Sequence, residues 1–474
     1  MVKKNIIYNT IFQFVNMALP IITAPYLSRV LGASSIGISS YTFTVAGYFV
    51  LFIMLGLNNY GNRSIALVKE NKKQLSSTFS EIYEIQITTG MIALACYFIF
   101  LYCNKSSDYY LAYKYSMIYV FSAVFDVNWF FWGLEKFKLT TICNVLARLL
   151  STAAIFIFVK SETGVYIYIC IHTASYLIAN LLAWVQIFRY IRFQFSPIKK
   201  LVVHLKPLFV LFIPILAVSI YKMMDKIMIT QLSDTSQAGF YECAANIITA
   251  PLAVITAFGT VMLPRISVLL KEGKMESVKS YNQKSISIIF LITIPFSLGI
   301  IGVAENFIIL YLGTAFSECV VLLQMLAITA PAIAFANVIR TQFIIPKKKD
   351  KVFVAATVIG AIVNFILNCI YIPEYGAFGA VIGTIAAEFS VMIYQYIKMK
   401  SSMCIILWKK IIVYMVSGIF MVIVVFLLKN VTSSRLVNLM IQIIFGVLIY
   451  MGCIFIVDKE TFLDLLNYIK KRVN

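Results

Sequence analysis

The sequence predicts an all-α, polytopic membrane protein of about 14 transmembrane helices, built as two pseudo-symmetric six-helix lobes plus two extra C-terminal helices. Three observations lead there: the composition, the spacing of long apolar runs, and the sidedness of Lys and Arg. Of 474 residues, 61% are hydrophobic and only 13% charged. Soluble domains carry about 25% charged residues. A chain with a mean hydropathy of +0.89 has too few polar groups to cover a water-facing surface.

A spanning helix needs about 20 largely apolar residues. The chain opens Met1-Val2-Lys3-Lys4 and runs directly into such a stretch, 5–30, with no A-x-A-like cleavage site. It reads as a retained helix rather than a signal peptide. Pro20 and Pro25 interrupt its backbone ladder, so it is expected to be bent or partly unwound. Only Gly32-Ala33-Ser34-Ser35 parts it from the second run, 36–58. The third and fourth are 82–103 and 111–132, and Trp129-Phe130-Phe131-Trp132 closes the fourth. That cluster reads as an aromatic belt at the membrane interface, with a sugar-stacking surface as the alternative.

Runs 140–159 and 165–188 complete a first lobe, residues 1–188. A basic linker, 189–206, leads to a second lobe, 207–397, with runs at 207–232, 237–262, 285–304, 320–343, 352–372 and 376–397. The last part, 398–474, holds runs 408–428 and 436–457 and an amphipathic tail. Phe462, Leu465, Leu466 and Ile469 share one face of that tail, which suits a helix lying on the membrane surface.

Loop charge tests the map. With both termini in the cytoplasm, only Lys105, Lys160, Lys429 and Arg435 of the 40 Lys and Arg fall in outside loops. Six more, Arg29, Lys114, Arg148, Lys222, Lys226 and Arg340, lie within spans, and all the rest fall inside. Missing one helix would invert this asymmetry from that point on, so it supports the even count and the orientation. A weak internal repeat agrees. Shifting the first half by 202 residues lays Gly37 on Gly239, Arg63 on Arg265 and the third span on the ninth. Same-sense repeats of six spans are a transporter architecture.

Several functions find no support in the residues. There is no G-x-x-x-x-G-K-[ST], G-x-S-x-G or H-E-x-x-H motif, so neither an ATP site nor a catalytic residue is expected. The nine Cys show no C-x-x-C or Cys/His spacing, and His172 and His204 are far apart, so no metal or cofactor is expected. The net charge of +20 sits in short loops without an aromatic reading face, which argues against nucleic acid.

Charges inside spans are the candidate functional residues. Each costs about 2.5–3.5 kcal/mol at a helix centre on insertion scales and generally faces a cavity or a partner. Lys222, Asp225 and Lys226 lie in the seventh span, after Pro207 and Pro214, and Asp225 is expected to pair with either Lys or with Tyr221. Asp126 is in the fourth span, Arg148 in the fifth, Arg340 in the tenth and Glu388 in the twelfth. An Asp126–Arg148 ion pair between neighbouring helices is the structural alternative for those two. Arg29 ends the first span, where snorkelling to the interface also explains it. Arg63 and Arg265 sit at inside helix ends, where positive-inside anchoring also accounts for them.

The motifs carry a family resemblance. Pro25-Tyr26-Leu27-Ser28-Arg29-Val30-Leu31-Gly32 followed by Gly37, Leu55-Gly56-Leu57 with Tyr60-Gly61-Asn62-Arg63, and Asp126-Val127-Asn128-Trp129-Phe130-Phe131-Trp132-Gly133-Leu134-Glu135 resemble the bacterial polysaccharide flippases. These belong to the multidrug/oligosaccharidyl-lipid/polysaccharide (MOP) exporter superfamily. So do Asp225-Lys226-Ile227-Met228-Ile229 with Ala238-Gly239-Phe240-Tyr241, and Leu263-Pro264-Arg265-Ile266-Ser267. The stretch Gly360-Ala361-Ile362-Val363-Asn364 through Pro373-Glu374-Tyr375-Gly376-Ala377-Phe378-Gly379-Ala380 is the most specific. The resemblance covers nearly the whole chain in order. The dense Lys347-Lys348-Lys349 run departs from it.

The resemblance implies a transporter, not an enzyme. It would translocate undecaprenyl-diphosphate-linked oligosaccharide repeat units across the bacterial cytoplasmic membrane for capsule or O-antigen synthesis. The mechanism implied is alternating access coupled to H+ or Na+, with membrane lipid around it and a polymerase and glycosyltransferases as partners. The substrate-binding cavity cations would be Arg29, Arg63, Arg148, Lys222, Lys226, Arg265 and Arg340, and the coupling acids Asp225, Glu388 and Asp126. Alternatives are a lipid II or teichoic-acid precursor flippase, a cation-coupled multidrug exporter of the same superfamily, and a polysaccharide polymerase. An acidic cavity would suit a cationic drug, yet basic residues outnumber acidic ones within these spans. No outside loop is long enough for the polymerase.

Overall fold

A computed structural model describes residues 2–403 and 408–457, without the side chains of residues 2–7, 9, 10, 214, 217, 220, 221, 254, 260 and 402. The surface helix expected within 459–474 and the Tyr221 partner expected for Asp225 therefore lie outside the described residues. The rest is all-α, and no strand occurs among the described residues. The helices are α1 (Val2–Met54), α2 (Leu57–Val68), α3 (Lys72–Cys103), α4 (Tyr110–Val124), α5 (Asn128–Gly133), α6 (Phe137–Phe158), α7 (Val165–Val185) and α8 (Ile198–Leu232). They continue with α9 (Thr235–Lys271), α10 (Met275–Tyr311), α11 (Glu318–Ala327), α12 (Thr329–Ile339), α13 (Asp350–Met399), α14 (Trp408–Leu427) and α15 (Arg435–Val457).

Among the described residues, 10 helical stretches are long and apolar enough to cross a membrane. Two of them, Ile11–Val68 with 58 residues and Asp350–Met399 with 50, are more than twice the length one crossing needs. Each is broken by a glycine in a conformation closed to L side chains: Gly32 at φ 74 and Gly376 at φ 54. These breaks fall where the sequence separates its first run from its second and its eleventh from its twelfth. The halves of α1 then pack into different cores. Leu27 and Leu31 join Ile155, Val159 and Ile169, whereas Tyr41, Ala46 and Ile53 join Ala93, Tyr97 and Val120.

The chain forms two compact units, one up to Gly239 and one from Phe240 onward. In the first, the fourth run is interrupted. Helix α4 ends at Val124, and α5 starts only at Asn128. Asp126 sits in the break and accepts from the Asn128 backbone N–H at 3.0 Å and its Nδ2 at 2.7 Å. The turn sends Trp129, Phe130 and Phe131 inward, where each is fully buried. Trp129 donates from Nε1 to Gln86 Oε1 at 3.0 Å and stacks on Phe79. Trp129, Phe130 and Phe131 therefore form neither a membrane belt nor a sugar platform but part of a buried core, and Trp132 is half-buried. Gly61 and Gly133 make the approach possible, because a Cβ at Gly133 would lie 2.6 Å from Ile65 Cβ.

The segment 189–206 is not a free loop either. Its second half is already helix α8, and its first half is extended and strapped along α3. The backbone N–H groups of Arg192, Gln194 and Ser196 donate to Ser76 Oγ (3.1 Å), Ser80 Oγ (3.0 Å) and Glu84 Oε1 (3.0 Å). The two periods match. Alternate residues of an extended chain advance about 6.6 Å, and four residues of a helix about 6.0 Å.

In the second unit, α10 is the centrepiece. Leu291 and Ile294 share a core with Tyr414 and Met421 of α14 and Tyr450 and Ile454 of α15. Tyr414 pairs with Ser287 at 2.8 Å, and Tyr450 donates to the Leu291 carbonyl at 3.0 Å. A π-helical turn, Arg340–Ile344, follows α12.

Candidate functional site

The first unit holds a half-open cavity of about 400 Å³ walled by α1, α2, α4 and α8. Its lining includes Phe43, Thr44, Gly47, Asn58, Tyr119 and Lys226. Gly47 leaves room for the tip of Met223 on α8, since a Cβ there would meet Met223 Cε at 2.7 Å. Lys226 is half-buried, and its ammonium is the charged group on the cavity wall. Asp225 is buried beside it and lies within electrostatic reach of Tyr48. Asn58 also lines the cavity, and its side-chain oxygen is buried with no partner among the described residues.

An aromatic cluster adjoins this wall at mid-helix depth. Phe43 stacks on Tyr119 with centroids 4.4 Å apart, and Tyr119 meets Tyr176 at 4.7 Å. His172 lies 5.0 Å from Phe43 and 5.6 Å from Tyr176. Arg148 spreads over the Tyr176 ring at 4.9 Å and donates from Nη2 to its hydroxyl at 3.1 Å. Both Arg148 and Asp126 act electrostatically on Tyr119. No ion pair joins Asp126 to Arg148 among the described residues; Asn128 takes the carboxylate and Tyr176 the guanidinium. The lining offers aromatic faces, hydroxyls and one cation, with Arg148 held on Tyr176 in the adjoining cluster. Such a lining suits a polar, anionic ligand that must leave water.

The other candidates of this unit stand apart from the lining. Lys222 is exposed. Arg29 is exposed and folds back, donating from Nη1 to the Pro25 carbonyl at 2.7 Å. Arg63 is exposed on α2. At the loop end of α5, Lys69 and Glu135 pair at 2.6 Å. The hydrogen bond from Lys69 holds the Glu135 carboxyl below its ordinary range, so the pair persists at neutral pH and is lost as pH falls through that lowered range.

In the second unit, Arg265 is exposed beside Tyr281, with its guanidinium 5.6 Å from the ring centre. Arg340 opens the π-helical turn and lies over Phe353 at 5.4 Å. With the Asn337 amide turned to satisfy its neighbours, its oxygen accepts from Arg340 Nη2 at 2.9 Å. The Arg340 Nε has no partner among the described residues. Glu388 is half-buried on α13. A second cavity of about 360 Å³ in this unit is almost wholly apolar, lined by Phe290, Leu298, Phe335, Phe389, Trp408 and Met415 among others.

Sequence reasoning singled out Lys226, Asp225, Arg148 and Asp126 but missed the rings around them. Phe43, Tyr119, His172 and Tyr176 look like ordinary apolar-run residues. The one available signal was His172, a rare residue here, in a run otherwise free of charge.

Known proteins share this architecture. Over 96% of this chain and 99% of its own, the solved structure of the lipid II flippase MurJ in an inward closed conformation superposes with a TM-score of 0.78 at 17% identity. An inward-facing multidrug resistance MATE family transporter of the MOP superfamily does so with a TM-score of 0.68 at 14% identity, covering 84% of this chain and 98% of its own. At these identities the likeness is one of fold. A Shigella dysenteriae protein named an O-antigen transporter is 24% identical over 399 residues, 83% of this chain and 98% of that protein. The family model described as "Polysaccharide biosynthesis protein" matches residues 2–270, more than half the length and all of the unit that holds the cavity. On that match the chain belongs to the polysaccharide biosynthesis protein family, the membership its motifs implied.

Proposed function

We propose that the protein is a flippase, not an enzyme, and that it carries undecaprenyl-diphosphate-linked oligosaccharide repeat units across the bacterial cytoplasmic membrane for capsule or O-antigen synthesis. The observation that carries this reading is the cavity of the first unit, with the Lys226 ammonium and the stacked Phe43–Tyr119 pair on one wall. A cation in a dry wall replaces the hydration that a diphosphate loses, and aromatic faces suit sugar rings. Family membership and the relatives' names support the same substrate class. A basic wall speaks against cationic drugs as cargo. The isoprenoid tail needs only apolar surroundings. Purified protein in vesicles should flip fluorescent lipid-linked oligosaccharide; failure with every glycan tried, while folded, would overturn the reading.

In the proposed architecture the spans number fourteen. Gly32 and Gly376 each divide a long stretch in two, and α4 with α5 and then α8 supply the two that the ten leave out. The lobes would be 1–188 and 207–397 about the linker 189–206, with 398–474 outside the repeat. Both termini would be cytoplasmic. Reporter fusions at residue 234 and at the C-terminus are then expected on opposite sides of the membrane; reports from the same side would sink this topology.

Transport would be driven by H+ or Na+, with Asp225 as first coupling group, Glu388 second and Asp126 third. Substrate diphosphate would compete with Asp225 for Lys226 or Lys222 and release the carboxylate to take a cation. Arg29, Arg63, Arg148, Arg265 and Arg340 would supply further positive charge along the path. Asp225→Asn is expected to keep substrate binding but lose the response to an imposed ion gradient. Intact gradient dependence in that variant would make Asp225 structural.

A further inference from the structure

A network outside the cavity joins three helices of the first unit. The Tyr60 hydroxyl on α2 lies 2.6 Å from His204 Nδ1 on α8. His204 Nε2 is 3.0 Å from Glu81 Oε2 on α3. The other carboxylate oxygen, Oε1, accepts from Ser77 Oγ at 2.7 Å and has Lys200 Nζ at 3.7 Å. The His204 and Glu81 side chains are only 13% and 12% exposed. The groups in contact with the imidazole and its carboxylate are thus Tyr60 from α2, Ser77 and Glu81 from α3, and Lys200 from α8 itself. Nearby Glu84 is engaged by the Ser196 N–H.

We propose that Tyr60, His204 and Glu81 form a proton-binding site, distinct from the substrate cavity, that sets how α8 is held against α2 and α3. Imidazole is the side chain whose ordinary titration falls between about pH 5 and 8. In the neutral ring, Nδ1 accepts the Tyr60 proton and Nε2–H donates to Glu81. Adding one proton makes both nitrogens donors. The Glu81 bond becomes an imidazolium–carboxylate pair. The Tyr60 hydroxyl loses its acceptor and must point its proton elsewhere, so one hydrogen bond reverses direction. Lys200 already attracts Glu81, and its 3.7 Å separation leaves it the weaker partner.

Two of the three helices also wall the cavity. Leu57 and Asn58 line it one turn before Tyr60, and Lys226 lines it further along α8 from His204. A proton taken up at this end therefore acts on elements that hold the cavity shape. This consequence rests on the flippase reading, but the proton site itself does not.

The test separates the two. The chain has only two His, so His172→Asn leaves His204 alone for imidazole 15N NMR in nanodiscs. We expect a single protonation step of this imidazole across the ordinary imidazole range, with its midpoint falling in Glu81→Gln, where the opposite charge is gone. A resonance that stays flat across that range, or a midpoint that ignores Glu81→Gln, overturns the proposal. In vesicles, native flipping should change about tenfold as pH on the basic-loop side crosses the transition, and under about twofold in His204→Gln. Should His204→Gln fail to fold, the Glu81→Gln flipping profile must move along the pH axis by the NMR shift, and a profile that stays put counts against the site. If NMR shows the transition while no lipid-linked oligosaccharide is flipped at any pH, the proton site stands and the flippase reading falls.

Discussion

Lys226→Met is expected to lower flipping of lipid-linked oligosaccharide by about 10- to 100-fold while leaving the protein folded. Methionine keeps the unbranched apolar stem that packs in the wall and removes only the ammonium. The lost quantity is a charge-assisted hydrogen bond to an anionic headgroup, about 1.5–3 kcal/mol, at about 1.4 kcal/mol per tenfold. Thermal unfolding of the variant checks that it is folded before its rate is read. The control is Lys138→Met on α6, exposed and absent from the cavity lining. It should lose less than about threefold, having no desolvated contact to forfeit. Equal losses for both would mean that overall positive charge matters and the cavity position of Lys226 does not. A Lys226→Met variant with native rates would remove the cavity from the transport path.

The second large effect is steric and reciprocal. A Cβ at Gly37 would collide with the Thr235 carbonyl oxygen, and a Cβ at Gly239 with the Ala33 carbonyl oxygen. The two contacts are one contact made twice, since a shift of 202 residues carries Ala33 onto Thr235 and Gly37 onto Gly239. Ser34 and Thr235 add a hydroxyl pair at 2.7 Å. Because the obstacle is backbone on both sides, no rotamer change relieves it. Gly37→Val and Gly239→Val should each destabilise by at least the 1–3 kcal/mol typical of overpacking, about 5-fold or more in folded population. The double variant should cost clearly less than the sum, because the first substitution already parts the surfaces that the second would push apart. Thermal unfolding of the four proteins in one detergent measures this cycle. Strict additivity would show that the two glycines answer to separate contacts.

Much of the fold was legible because membrane helices announce themselves through length and apolarity. The glycines at 32 and 376 were legible because so short a connection between two spans leaves few residues to carry the bend. Gly37 and Gly239 could be matched by spacing alone. Other features were hidden because they depend on what a residue meets far along the chain. Trp129 looks like an interface residue until the Asp126 break turns it toward Phe79 and Gln86. His204 looks solitary until Tyr60, 144 positions earlier, and Glu81, 123 positions earlier, are brought to its two nitrogens. Phe43, Tyr119 and Tyr176 sit on three different helices, and no periodicity within any one of them marks the cluster. Charge gave the cations of the site away, whereas its rings came to light only with the packing.

The strap along α3 constrains how this stretch of chain can change over time. Its three anchors are backbone N–H groups, which every residue but proline supplies, so the side chains of Arg192, Gln194 and Ser196 are free to drift. The number of residues is not free in the same way. One inserted or deleted residue between 192 and 196 would put the extended chain out of step with the four-residue repeat of Ser76, Ser80 and Glu84, and several anchors would be lost together. The segment between α7 and α8 is thus permissive in composition and strict in length, the reverse of an ordinary connecting loop.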